Sequence, residues 1–233
     1  MTAASLETFP DLEAASARAA SLAARAARMG ARDRGRFALA LSGGSTPGRF
    51  FELLAEEDLP WDVGHVFWAD ERLVPRQSPE SNYHLAREHL LSRVAVPEAN
   101  VHPMWGGSGS AEEGAREYEA VLRNFFGPGA LPAFDAVHLG MGGDGHVASL
   151  FPGQPGLEEE HRWVLPVSYE HASPPVPRLT LTLPALNAAR LVLFLVSGPD
   201  KAGLAQLIAS GGGRGFPAAL VRPALPPVWL AAG

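Results

Sequence analysis

Four apolar segments of strand length, at residues 37–41, 63–69, 134–139 and 191–196, each follow or precede a stretch of helical periodicity in this 233-residue chain. That alternation constrains the fold more than any other feature, because strands alternating with helices build a mostly parallel sheet covered on both faces. The periodicity predicts helices over residues 11–29, 46–55, 82–94, 111–126 and 200–209. Asp11 is placed to cap the first helix and Gly30 to end it, while Pro47 suits the opening of the second. Residues 162–167 and 178–183 read as two further strands, and the Thr-Leu alternation of the second predicts one wetter face. Residues 228–230 read as a last, edge strand.

The proline-rich stretches at 174–177 and 223–227 are too short to separate domains, so residues 1–233 are expected to form one α/β domain. Residues 162–183 are the candidate for a small antiparallel appendage. With 46% hydrophobic and 19% charged residues, the chain has the material for a full core. A net charge of −6 provides no basic footprint for nucleic acid. No apolar run approaches the roughly 20 residues of a membrane span, and the N-terminal segment has no uninterrupted signal core. A cytoplasmic protein is the simplest expectation. The absence of cysteine removes disulfides, thiolate metal sites and a thiol nucleophile together.

Ligands of an open parallel sheet bind beyond the carboxyl ends of its strands. Four segments fall there: residues 42–47, 70–72, 140–146 and 197–201. Ser42, Gly43, Gly44, Ser45 and Thr46, between a strand and a helix N-terminus, offer backbone N–H groups and hydroxyls suited to a phosphate. This is not a Walker A loop, for its Gly-Lys-Ser/Thr is missing. Residues 140–153 follow a buried strand with a glycine-rich turn carrying Asp144 and His146. Histidine takes a proton near neutral pH, and a neighbouring carboxylate orients the ring or stabilises its cation. Asp70 suits either assistance to that base or a grip on a substrate hydroxyl, and Arg72 suits an oxyanion or a phosphate. Eighteen of the 19 basic residues are Arg, so the single Lys201 is either chance or a position that Arg, with its rigid fork, cannot serve.

Several alternatives fail on spacing. Gly140, Gly142 and Gly145 spell G-x-G-x-x-G, but Pro152 stops any helix that a dinucleotide site would need. His84 and Glu88 lie one helical turn apart without a third ligand, so no metal is expected. No G-x-S-x-G elbow is present, which leaves water as the nucleophile.

Taken together, residues 41–47, 68–75 with Ser81-Asn82, 140–153, 177–182 with Asn187, and 198–202 resemble the 6-phosphogluconolactonases of the glucosamine-6-phosphate deaminase/6-phosphogluconolactonase family. The resemblance implies a Rossmann-like, mostly parallel sheet flanked by helices, with a small additional lobe. It implies hydrolysis of a sugar-phosphate lactone without a cofactor, by a monomer or homodimer. By position, His146 is implied as the base, Asp144 and Asp70 as acidic companions, and the 42–46 loop, Arg72, Arg178 and Lys201 as phosphate and sugar contacts. A deaminase or isomerase of the same family, or a sensing module that kept only the pocket, are the rival readings. Ala148-Ser149-Leu150-Phe151-Pro152 after His146 resembles the lactonase version and lacks the deaminase's Asn-Glu-Pro. The tail departs from the family, because Trp229 is followed by Leu-Ala-Ala-Gly rather than by an acidic residue.

Overall fold

Strands with every residue buried lie at the centre of the molecule, as expected for a sheet covered on both faces. The computed structural model describes residues 4–233. In chain order the elements are β1 (Ser5–Phe9), α1 (Leu12–Arg34), β2 (Phe37–Leu41), α2 (Gly48–Glu56), β3 (Gly64–Trp68), β4 (Asp70–Arg72), α3 (Asn82–Ala86) and α4 (Ala111–Phe126). They continue with β5 (Ala136–Leu139), β6 (Val164–Val167), β7 (Arg178–Leu181), α5 (Leu183–Asn187), β8 (Val192–Ser197), α6 (Pro199–Ala209) and β9 (Val228–Ala232). Six strands in the order β1-β9-β8-β5-β2-β3 form a sheet in which every pair is parallel. A second sheet, β4-β7-β6, is antiparallel and forms the small lobe. Buried residues of both sheets belong to one apolar cluster. No described helix is long and apolar enough to cross a membrane.

Several expectations are corrected. Helix α1 runs past Gly30 and ends at Gly35, whose φ of 71° supplies the left-handed cap and whose N–H reaches Ala31 O. Gly30 serves a close approach instead: a Cβ there would lie 2.7 Å from an Asp135 carboxylate oxygen. Helix α2 begins at Gly48, with Pro47 as its cap residue. The helix expected over 82–94 ends early, passing from α3 into a π turn over Arg87–Leu91. Strand β7 has no wet face, because Thr180 turns its hydroxyl to Leu181 O and to the Ser149 N–H. Strand β9 is internal, not an edge, since β1 pairs along its whole length. The tail therefore packs firmly, with Trp229 stacked 3.8 Å over Phe194. Strand β1 escaped sequence reading because its five residues carry too little pattern.

Three histidines are held neutral by packing. His65 and His102 stack with their ring nitrogens 3.1 Å apart, and burial lowers both pKa values, that of His102 to about 4. His138, wedged beside Phe50 and Phe51, is pulled down by burial to about 3. Folded-state values below the unfolded value mean that acid protonates the unfolded chain first. Stability is therefore complete above about pH 6.5 and falls as pH drops towards 4, by about 1.4 kcal/mol per pH unit for each of His102 and His138. Urea denaturation should show a lower midpoint at pH 5 than at pH 7. His102→Phe, which keeps the stack on Phe67, should reduce that difference.

Candidate active site

The strand order reverses between β2 and β5: the chain leaves β2 for β3 on one side and returns to β5 on the other. Crevices open at such switch points, beyond the carboxyl ends of the strands. Here the crevice is a cleft of about 330 Å³. All eleven residues singled out from the sequence line it: Ser42 to Thr46 after β2, Asp70 and Arg72 on β4, Asp144 and His146 after β5, Arg178 on β7, and Lys201 in the first turn of α6.

The turn after β5 holds an acid–base pair. His146 Nδ1 lies 2.6 Å from Asp144 Oδ1, and the same oxygen accepts the His146 N–H at 3.1 Å. One carboxylate oxygen thus fixes both the ring and the backbone of the histidine. Beneath them, Gly142 donates its N–H to His146 O and leaves no room for a side chain. A Cβ at Gly142 would fall 2.2 Å from Nδ1 and 2.6 Å from Asp144 Oδ1. The ring also rests on Phe151, 4.8 Å between centroids, and both members of the pair reach solvent.

Asp70 does not join this pair. Its carboxylate is buried and engaged elsewhere, accepting Ser149 Oγ–H at 2.8 Å and Asn82 Nδ2–H at 3.2 Å. Glu71 beside it is an anchor for α3, taking N–H bonds from Arg72, Asn82 and Tyr83 and the Ser81 hydroxyl. Burial raises its pKa, and those three backbone donors oppose the rise.

Positive charge enters the same cleft from β4, β7 and α6. Arg72 and Arg178 are direct cross-strand partners in β4 and β7. Arg72 Nη1 donates to Glu80 O at 2.7 Å, and Arg178 Nη2 donates to Ser173 O and Pro174 O at 2.9 and 3.0 Å. Both Nε atoms are buried and lack a hydrogen-bond partner among the described residues. Burial, and then the charge of Arg72, draw the Arg178 guanidinium below its ordinary range. Lys201 has no ion-pair partner within 4.0 Å among the described residues.

Sequence reading missed several lining residues. Asn82 stood inside a noted motif without a role, and its Oδ1 is buried and unpartnered. His138 sat in an apolar strand and gave no signal, yet it lines the cleft with both ring nitrogens unpartnered. His171 and Ser173 come from an irregular segment that no periodicity marks. His84 and Glu88 stand 4.0 Å apart, and no group of three potential metal ligands occurs among the described residues.

The family described as glucosamine-6-phosphate isomerases/6-phosphogluconolactonase matches residues 10–229. The chain belongs to this family. A 6-phosphogluconolactonase of Synechocystis sp. is 43% identical over 202 residues, 85% of this chain and 82% of the relative. The Homo sapiens 6-phosphogluconolactonase is 42% identical over 220 residues, 91% and 83% of the two chains. The crystal structure of the Thermotoga maritima 6-phosphogluconolactonase superposes with a TM-score of 0.87 at 31% identity, over 99% of this chain and all of that one. A monomeric glucosamine-6-phosphate deaminase shares the fold, with a TM-score of 0.80 at 20% identity over 98% of this chain and 97% of its own.

The packing against Gly142 makes a direct test of the site. Gly142→Ala should displace the His146–Asp144 pair by the better part of an ångström and cut turnover about 100-fold. Its circular dichroism spectrum should match the parent's.

Proposed function

We propose that this chain hydrolyses 6-phospho-D-glucono-1,5-lactone to 6-phospho-D-gluconate, the second step of the oxidative pentose phosphate pathway. The observation that carries the proposal is the 2.6 Å His146–Asp144 pair sharing one cleft with Arg72, Arg178 and Lys201, in a chain about 40% identical to proteins named for this reaction.

Asp144 accepts the Nδ1 proton of His146, which leaves Nε2 as the basic nitrogen. Water attacks the lactone carbonyl while Nε2 takes one of its protons, and the carbonyl oxygen becomes an oxyanion. Collapse of the tetrahedral intermediate breaks the bond from C1 to the ring oxygen, which takes the proton back from the imidazolium. The product is a carboxylic acid that ionises in neutral water. Asp144 stabilises the transient imidazolium and holds the tautomer, as a carboxylate does for other histidine bases.

Phosphate at the far end of the substrate supplies orientation. The 42–46 loop offers backbone N–H groups and hydroxyls, and Arg72 and Lys201 offer charge. Arg178 has a terminal nitrogen committed to carbonyls and contributes chiefly as a fixed positive centre behind them. The intact acid–base pair favours hydrolysis over a sensing role, and 40–43% identity to proteins named 6-phosphogluconolactonase, against 20% to the deaminase, favours the lactonase reading.

The test is a pH-controlled assay on freshly prepared lactone, corrected for its spontaneous opening. His146→Ala should lower kcat by about two to four orders of magnitude with the fold retained; unchanged turnover overturns the assignment. Arg72→Ala and Lys201→Ala should each raise KM with a smaller change in kcat, as loss of ground-state binding does. Ammonia release from glucosamine 6-phosphate would transfer the chain to the deaminase reading.

A further inference from the structure

Ser149 fastens the turn that carries His146 to the small sheet. It is fully buried, donates its hydroxyl to Asp70 Oδ2 at 2.8 Å and its N–H to Thr180 Oγ1 at 3.2 Å. Asp70 belongs to β4 and Thr180 to β7, and the two are cross-strand partners. Two positions along those same strands stand Arg72 and Arg178, also partners. One serine, three residues after the base, therefore bridges the segment that bears His146 and the sheet that bears the cations.

The bridge is under demand from both sides. Asp70 is a buried carboxylate with no basic group within 4.0 Å among the described residues. Its charge is met by neutral donors, Ser149 Oγ–H on one oxygen and Asn82 Nδ2–H on the other. A buried carboxylate deprived of one donor draws towards another donor or water, and the structure around it follows. On the loop side, Ala148 holds a φ of 48°, a left-handed conformation that a residue with a Cβ keeps only when its surroundings impose it. Val147 and Leu150 close a tight turn around it through the Leu150 N–H to Val147 O bond of 2.8 Å. Ser149 is the polar tether of that turn.

We infer that Ser149 is a positioning residue, which acts through Asp70 to set the spacing between the His146 base and the Arg72–Arg178 wall. The inference rests on His146 being the base. With the phosphate end gripped by the wall, a shift of the turn moves Nε2 relative to the carbonyl and leaves the grip intact. The effect therefore falls on kcat rather than on KM.

Ser149→Ala should lower kcat about 10- to 100-fold with KM within about twofold and an unchanged circular dichroism spectrum. In the same variant the His146 ring ¹⁵N shifts should report a smaller share of the Nδ1–H tautomer. Asp70→Ala and the double variant complete a cycle. If Ser149 acts through Asp70, the double variant loses no more than Asp70→Ala alone. Unchanged kcat in Ser149→Ala, or losses that multiply, overturn the inference. Thr180→Val, which removes the acceptor of the Ser149 N–H together with the hydroxyl's bond to Leu181 O, is read by the same criteria if Ser149→Ala does not fold. His146→Ala is the control: if it stays active the base assignment fails, whereas an inactive His146→Ala beside a fully active Ser149→Ala sinks only the role of Ser149.

Discussion

The cleft depends on the pairing of β2 with β5, which spans only Leu39↔Ala136 and Ala40↔Val137. This pair brings the 42–47 loop and the His146 turn side by side, because both emerge from the same end of adjacent parallel strands. Just below the pair, Asp135 locks the register. Its N–H donates to Ala38 O and its carboxylate accepts the Ala38 N–H, each at 2.9 Å. Arg34 and Arg190 partner the same carboxylate, offsetting the burial that pushes its pKa up. A slip of one residue would turn every side chain of the strand to the opposite face. The pairing is thus fixed at its base by a charged clamp, and the strands hand over to loops at the top, where chemistry is wanted.

The second sheet solves an electrostatic problem. A chain with net charge −6 repels an anionic sugar phosphate at long range, so attraction has to be local. Placing Arg72 directly opposite Arg178 gives that local field at a cost, since like charges across a strand pair destabilise it. The protein meets the two guanidiniums with the carbonyl oxygens of Glu80, Ser173 and Pro174 rather than with carboxylates. Carbonyl dipoles hold the side chains in place without neutralising them. Neither guanidinium has a carboxylate within 4.0 Å among the described residues, and Asp70, Glu71 and Glu80 act on Arg178 from further away.

What the sequence made legible follows from what each signal depends on. The alternation of apolar runs and helices depends on local periodicity, and it correctly yielded the parallel sheet. The loops at strand ends followed from topology alone, and the ten residues chosen from them meet in one cleft with Arg178, which only the family resemblance had marked. Judgements that needed long-range partners failed. Gly30 reads as a helix end until Asp135 is seen against it, and Thr180 reads as solvent-facing until Ser149 arrives from 31 residues away. The partners of Asp70 were equally invisible: it lines the cleft as expected, and Asn82 and Ser149 donate to its oxygens. In each case a tertiary contact, invisible to spacing, decided what the side chain does.

The His146–Asp144 pair combines two requirements that oppose each other. A base that activates water must be wet, and His146 and Asp144 keep 32% and 46% of their side chains exposed. A base that acts on one carbonyl must also be still, and exposed loops are ordinarily mobile. The turn separates the two demands by depth. Val147, Ser149 and Leu150 are buried beneath it, Gly142 admits the ring without clearance, and Gly145 O takes the Ala218 N–H from the far side. Rigidity comes from the buried residues that follow the histidine, and access comes from the glycines that precede it. Glycine-rich sequence here therefore does not mean a flexible loop: it is the absence of Cβ atoms that lets a fixed imidazole lie directly on the backbone while its other nitrogen meets solvent.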